Sequence, residues 1–447
     1  MSFRVDCPGP MSRRGLIKHS IAASLGYALA RPFIPSAWAA EEKTKAGAAP
    51  APVKAATGGA QDYVVAKGKA KNVILMWMGG GPSHLDTFDP KPGTPQSGGN
   101  GVVEAADGLA LNEKLPFLAK QGRNLCVLRG VTSKEGDHAN ASHLLHTGYR
   151  EQSGVSFPSL GSIVCAEAKD GPQSELPNYV ALNGGGGGPG FYGAQWGPFS
   201  VGAGQAIPDL KTNKISKSSI DERRQLLDGL DKYYAGLTGA PLALEHQKTY
   251  ERAVKLSRSP LAPLFEIKGE DQAKCAKYGT SGFARACFVA KNLISKGGVR
   301  FIEIDQGGWD MHANVDVSSR NMMNQIDQPM GRLIEELAAD GLLGSTLIIW
   351  MGEFGRTPDI NAGGGRDHYP RSFSIMLAGG GVKGGQAVGK SNKSGHEPEG
   401  NGILIPDFMY SVCDAAGIDA TKIRESSDGR PIQVVDRGAK PVPGIFG

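Results

Sequence analysis

Long apolar runs are missing from the chain beyond its first forty residues. A transmembrane helix needs about 20 consecutive, mostly apolar residues, and no later segment approaches that length. We therefore expect no transmembrane segment in the mature chain.

Cysteine is also scarce, with six residues in a chain of 447. Cys7 belongs to the leader described below, and the odd number that remains shows no spacing typical of a metal site. Cys275 and Cys287 could pair, but a protein that folds before export needs no disulfide framework.

Most of the positive net charge of the chain comes from residues 1–39. The whole chain carries +5, but this leader contains five basic side chains and one acidic side chain, so the remainder is only about +1. A nearly neutral protein has little electrostatic attraction for nucleic acid or anionic lipid. We expect neither as a partner.

Residues 1–39 match a twin-arginine export signal. The arginine pair is Arg13 and Arg14, and a short, weakly apolar stretch follows at residues 21–30. Ala37 and Ala39 then form a small-x-small cleavage site. The apolar stretch is too short for a membrane anchor. We expect the twin-arginine translocase to export the folded protein to the periplasm or beyond, with cleavage after Ala39.

The segment 40–70 consists largely of Ala, Lys, Gly and Pro. A segment with so few large apolar side chains cannot bury enough surface to order itself. We predict a flexible linker over residues 40–70 and a folded domain over residues 71–447.

Short β-branched runs alternate with amphipathic helical stretches from Asn72 onward. The predicted strands are residues 73–78, 125–131, 179–182, 299–305, 346–351 and 373–377. Fully apolar strands that alternate with helices indicate a mostly parallel sheet covered on both faces. The predicted fold is therefore an α/β/α sandwich.

Polar residues collect beside the ends of these predicted strands. The carboxyl ends of parallel strands share one edge of the sheet, where binding and catalytic residues gather. The residues there are His84 and Asp86, then Asp137 and His138, then Asp305, Asp310 and His312, then Glu353, and finally Asp367 and His368. Mixed imidazole and carboxylate ligands suit a divalent cation of the zinc, manganese or iron type. Any one pair could be an ordinary hydrogen-bonded loop pair, and only their recurrence favours a metal site.

Five stretches resemble the motifs of a bacterial family catalogued as domain of unknown function 1501. They are residues 73–92, residues 307–312 (GGWDMH), residues 352–358 (GEFGRTP), residues 365–370 (GRDHYP) and residues 428–432 (DGRPI). The resemblance extends from Asn72 to the end of the chain. Because this family is similar to the alkaline phosphatase and sulfatase superfamily, the resemblance implies an α/β/α sandwich with a two-metal hydrolytic site.

The resemblance also implies roles for single residues. Asp310 and His312 match the carboxylate and imidazole of one metal position, and His368 matches its final histidine. Glu353 keeps the carboxylate of the other position, where Phe354 replaces the usual histidine. The expected ligands of one or two divalent ions, zinc or manganese, are Asp86, His138, Asp310, His312, Glu353 and His368, with His84, Asp305 and Asp367 as second choices.

His138 stands where alkaline phosphatases have their serine nucleophile, because Asp137-His138-Ala139 replaces Asp-Ser-Ala. Three roles are open to it: a metal ligand, a covalent nucleophile or a general base. The ligand role ranks first, since the site is otherwise one imidazole short. A formylglycine mechanism is excluded, because the stretch from Cys126 to Arg129 lacks the proline and the spacing of that motif.

The expected function is an exported, metal-dependent hydrolase of phosphate or sulfate esters that uses metal-activated water. Arg356 is a candidate catalytic contact to the anionic ester, because a guanidinium binds such groups in a bidentate manner; it could instead form a structural salt bridge. The alternative is a catalytically inactive secreted binding or scaffold protein that retains the fold. The missing serine and the phenylalanine at position 354 favour that alternative.

Overall fold

The computed structural model describes residues 68–169, 174–207, 210, 217–238 and 242–446. The expected export signal at residues 1–39 and all but the last three residues of the expected linker at 40–70 lie outside the described residues. Within the described ranges, no helix combines the length and apolar character needed to cross a membrane.

The described strands, in chain order, are β1 (Asn72–Trp77), β2 (Val102–Ala106), β3 (Leu109–Asn112), β4 (Leu125–Thr132), β5 (Tyr179–Leu182), β6 (Phe199–Val201), β7 (Phe301–Asp305), β8 (Thr346–Met351), β9 (Gly355–Arg356), β10 (His368–Tyr369), β11 (Phe373–Gly379), β12 (Gln386–Val388), β13 (Ile403–Leu404), β14 (Ile423–Glu425) and β15 (Pro431–Gln433). The described α-helices are α1 (Pro116–Ala119), α2 (His138–Thr147), α3 (Leu160–Glu167), α4 (Lys217–Thr238), α5 (Leu242–Arg258), α6 (Glu270–Ala276), α7 (Gly282–Ser295), α8 (Val315–Ala339) and α9 (Ile405–Ala415).

A central sheet is formed in the described part of the chain by nine strands in the order β12-β4-β11-β8-β1-β7-β5-β6, with β13 paired to β4. Neighbouring strands are parallel except at β11, which is antiparallel to both β4 and β8. Strands β1, β4, β7 and β8 therefore run in the same direction, and their carboxyl ends share one edge. Because β11 runs the opposite way, it begins at that same edge.

The two faces of this sheet are covered by separate hydrophobic cores. Ile74 and Met76 of β1 belong to one core, to which α7 and α8 contribute. Val73 and Leu75 point to the opposite face and pack in a second core with residues of α2, α3 and α9. Alternate side chains of a strand point to opposite faces, so a strand buried on both sides is apolar throughout. The predicted α/β/α sandwich with a mostly parallel sheet is confirmed.

All six strands predicted from the sequence are present, with ends that differ by at most two residues. The sequence did not indicate the short strands β6, β12 and β13 or the two-stranded ribbons, because two to five residues carry little periodicity. All five cysteines in the described ranges are buried and free, so Cys275 and Cys287 do not pair.

Candidate metal centre

Four side chains from three separate stretches of the chain converge at the carboxyl edge of the sheet: His138, Asp310, His312 and His368. The Oδ1 atom of Asp310 lies 3.0 Å from Nε2 of His312, 3.4 Å from Nε2 of His368 and 3.5 Å from Nε2 of His138. The Nε2 atoms of His312 and His368 are 3.1 Å apart. Potential ligand atoms of His138, Asp310 and His368 all lie within 4.8 Å of one another.

Local backbone structure holds these residues in place. His138 is the first residue of α2, and the side chain of Asp137 caps that helix by accepting hydrogen bonds from two backbone N–H groups of its first turn. Gly80 has a φ of +114°, and a Cβ there would lie 2.4 Å from the backbone nitrogen of Asp310. Only glycine tolerates both this positive φ and this close approach. The glycine loop after β1, residues 79–81, therefore allows Asp310 to approach the sheet edge closely.

The three histidines share one hydrogen-bonding pattern at Nδ1. The partners are acceptors in each case, namely Glu353 Oε1 at 2.7 Å from His138, Asp367 Oδ1 at 2.8 Å from His312, and the carbonyl oxygen of Gly136 at 2.9 Å from His368. Because a carboxylate or a carbonyl oxygen only accepts, Nδ1 carries the proton in each ring. Nε2 is then the ring nitrogen that a cation could bind, and in all three rings it faces Oδ1 of Asp310.

This donor set fits a divalent cation. Metal-bound histidines characteristically donate the N–H of the other ring nitrogen to a carboxylate or a carbonyl. Two ligand atoms on a tetrahedral zinc ion with bonds of about 2.0–2.1 Å are about 3.3 Å apart, close to the 3.1 Å between Nε2 of His312 and Nε2 of His368.

Arg356 lies beneath this group and is almost fully buried, with a side-chain exposure of 1%. It donates to Asp310 and to the carbonyl oxygens of Gly80 and Gly81. Burial alone would raise the pKa of Asp310, but the hydrogen bonds and charges around it, with those of Arg356 the largest, together outweigh burial and lower this pKa to about 2. Asp310 is therefore an anion at neutral pH, available as a metal ligand.

Glu353 and Phe354 form the inner wall beside these ligands. Glu353 is buried, and its Oε1 accepts from the backbone N–H of Gly80 at 2.8 Å as well as from His138. The ring of Phe354 lies 5.0 Å from that of His138 and 4.5 Å from that of His368, measured between centroids. Glu353 thus orients the ring of His138, while Phe354 is an apolar boundary.

Three other residues expected near a metal have different contacts. Asp86 accepts hydrogen bonds from Arg366 at 2.8 Å and from Asn100 at 2.7 Å, and both members of the Asp86–Arg366 pair are buried. His84 lies 2.9 Å from the carbonyl oxygen of Gly395, and burial lowers its pKa to about 4. Asp305 is the last residue of β7, and burial raises its pKa. The structure does not bring these three residues into the converging group.

A buried polar network next to this centre was not predicted. His146 donates from Nε2 to Glu303 at 3.0 Å and from Nδ1 to the carbonyl oxygen of Ser142 at 2.8 Å, and Tyr179 donates to the second oxygen of Glu303 at 2.5 Å. Because both ring nitrogens of His146 face acceptors, the ring is an imidazolium. Burial opposes the charge on each partner, but Glu303 raises the pKa of His146, and His146 lowers that of Glu303. The feature of the sequence that could have indicated this network is Glu303, a glutamate in the middle of the otherwise apolar strand β7.

The fold and this site define an α/β sandwich protein with a histidine and aspartate cluster at the carboxyl edge of its sheet. The chain belongs to the family described as "Protein of unknown function (DUF1501)", whose model matches residues 70–446. No curated protein sequence matches it.

Among solved structures, the chain is similar to three enzymes. They are the lipoteichoic acid synthase LtaP from Listeria monocytogenes (10% identity, covering 86% of this chain and 78% of that one, TM-score 0.40), the alkaline phosphatase of the Antarctic bacterium TAB5 (12%, 79% and 99%, 0.36) and the PsFucS1 sulfatase from Pseudoalteromonas sp. (13%, 78% and 68%, 0.34).

Proposed function

We propose that His138, Asp310, His312 and His368 bind a divalent metal ion, zinc or manganese, and that the protein is an exported hydrolase of phosphate or sulfate esters. The observation that carries this proposal is the common orientation of the three imidazoles. Each Nδ1 is held by an acceptor outside the cluster, so each Nε2 is available at one point beside Asp310. A bound divalent ion would polarise the ester and lower the pKa of a water molecule.

Residues around the cluster orient the histidine rings for binding the ion and leave the cluster open to solvent on one side. Glu353 and Asp367 fix the rings of His138 and His312 and make their Nε2 atoms better donors. Asp310 and His312 are each 48% exposed, so water and an ester can reach the cluster from solvent. The ring of Phe354 closes the inner side and excludes water there.

His138 acts in this proposal as a metal ligand. Its Nδ1 is hydrogen-bonded to Glu353, which leaves Nε2 directed at Asp310 rather than at open solvent. A covalent nucleophile needs a free path to the ester, whereas a ligand needs a fixed ring. Attack therefore falls to water, and no side chain is phosphorylated or sulfated during turnover.

The test combines ion binding with a screen of esters. Purified mature protein is supplied with zinc or manganese and assayed on aryl phosphate, aryl phosphodiester and aryl sulfate esters. We expect His368→Ala to lose ion binding and hydrolysis, while His143→Ala, on the same helix as His138 but outside the cluster, keeps both. An ion-binding protein that cleaves none of the esters would support the alternative of a secreted binding or scaffold protein.

Export is a separate part of the proposal and rests on the arginine pair in the leader. Replacing Arg13 and Arg14 together with lysine should leave a folded precursor in the cytoplasm, whereas Arg4→Lys should have no effect. The mature protein should begin at Ala40, after cleavage that follows Ala39. Undiminished export of the double variant would contradict the twin-arginine route.

A further inference from the structure

The guanidinium of Arg356 is part of the candidate centre but does not face solvent. Its five N–H groups are all directed at protein acceptors, which are the carbonyl oxygens of Gly80, Gly81 and Arg366, Oδ1 of Asp310 and, at 3.4 Å, Nε2 of His312. With its donors occupied and its side chain 1% exposed, Arg356 has nothing left to offer an anionic substrate.

We propose that the centre takes a single divalent ion and that the guanidinium of Arg356 fills the place of a second cation. This inference rests on the proposed metal site and deepens it. Arg356 is a positioning residue here, since it acts through Asp310 and the glycine loop rather than on the ester.

The ligands available for a second ion are too few. The only group of three potential ligand atoms within the described ranges is that of His138, Asp310 and His368. Glu353 has one oxygen, Oε2, without a hydrogen-bond partner among the described residues, and Phe354 next to it offers no donor. One carboxylate oxygen does not hold a divalent ion, which needs three or more protein ligands in a stable zinc site.

The positive charge of Arg356 also opposes the binding of a second ion. A guanidinium keeps its positive charge at any pH a protein tolerates, and Arg356 is bonded to the same Asp310 oxygen that faces the histidines. A second dication near that oxygen would be repelled by the guanidinium at short range, in surroundings where water screens little. One ion on the outer, histidine side of Asp310 has four proposed ligands to offset this repulsion, whereas a second ion would have only the single free oxygen of Glu353.

Ion stoichiometry tests the inference directly. Wild-type protein is saturated with Zn²⁺ or Co²⁺, dialysed and analysed for metal per chain, and the affinity is measured by titration calorimetry. We expect one ion per chain. Two ions would overturn this inference and leave the proposed metal site standing, whereas no bound ion would refute both.

Variants of Arg356 test its role as a cation. Arg356→Gln removes the charge, so the variant should bind the ion roughly tenfold or more tightly, or admit a second ion, because Asp310 loses its competing partner. Arg356→Lys keeps the charge and should retain one ion with nearly wild-type affinity. Folded Arg356→Gln protein with unchanged or weaker affinity would show that the guanidinium does not replace a cation. If that variant does not fold, the wild-type stoichiometry and the lysine variant still decide the matter.

Discussion

Replacing His146 with leucine removes one partner of a buried ion pair and leaves the other in place. The two side chains are 13% and 3% exposed and are joined by a hydrogen bond of 3.0 Å. Loss of the imidazolium leaves Glu303 with Tyr179 as its only donor side chain among the described residues, and breaking a buried pair in this way costs about 3–5 kcal/mol. We expect His146→Leu to lower the free energy of unfolding by that amount, measured by urea unfolding followed by circular dichroism.

The reciprocal variant should be milder. In Glu303→Gln, the amide can still accept from Tyr179 and donate to Nε2 of a neutral His146, so the network remains satisfied without charge. The expected loss is about 1–2 kcal/mol, the range of a weakened hydrogen bond. If His146→Leu costs less than about 1 kcal/mol, or no more than Glu303→Gln, the imidazolium assigned to His146 is wrong.

The stabilisation from this pair should also depend on pH. His146 has a raised pKa, so its contribution is complete below its usual value of 6.5 and is lost as pH rises through the raised pKa. Glu303 has a lowered pKa, so its contribution is complete above its usual value of 4.5 and is lost as pH falls through the lowered pKa. The advantage of the wild type over His146→Leu should therefore be greatest between pH 4.5 and 6.5.

Three other predictions concern residues around the centre. His84 has a pKa of about 4 in the folded protein against its usual 6.5, so it is neutral when folded. As pH falls, the unfolded chain binds a proton at this position first, and the free energy of unfolding should fall by up to about 3 kcal/mol between pH 6.5 and 4. Melting curves at different pH should show this loss in the wild type and not in His84→Gln. Gly80→Ala should displace Asp310 and weaken ion binding, whereas Gly79→Ala, whose Cβ would meet nothing closer than 3.6 Å, should not. Asp86→Asn should destabilise the fold by about 3–5 kcal/mol without changing the affinity for the ion, and reduced affinity would show that Asp86 is a ligand.

The sheet and the edge that carries the site could be predicted because both follow from short-range patterns. Runs such as residues 347–351 are apolar at every position, which only a strand buried on both faces requires. Once a parallel sheet is predicted, the carboxyl ends of its strands must share an edge. That rule is enough to expect His138 and Asp310 near one another, whereas His368 reaches the same edge only because β11 runs antiparallel to its neighbours.

The exact ligand set could not be predicted, because it depends on how each loop turns after its strand. Asp86 follows β1 as closely as expected, yet its loop directs it to Arg366, 280 residues away. Arg356 follows β8 in the position expected of an anion contact, but its side chain turns inward to the glycine loop. Such long-range pairings leave no trace in local composition.

The central claim is that His138, Asp310, His312 and His368 share one divalent ion. Anomalous diffraction at the zinc absorption edge, from crystals of the zinc-loaded wild-type protein, tests it most directly. The predicted result is a single peak about 2.0–2.1 Å from Nε2 of the three histidines and from one oxygen of Asp310. Fully zinc-loaded crystals with no peak at this cluster, or with the ion bound elsewhere, would contradict the account.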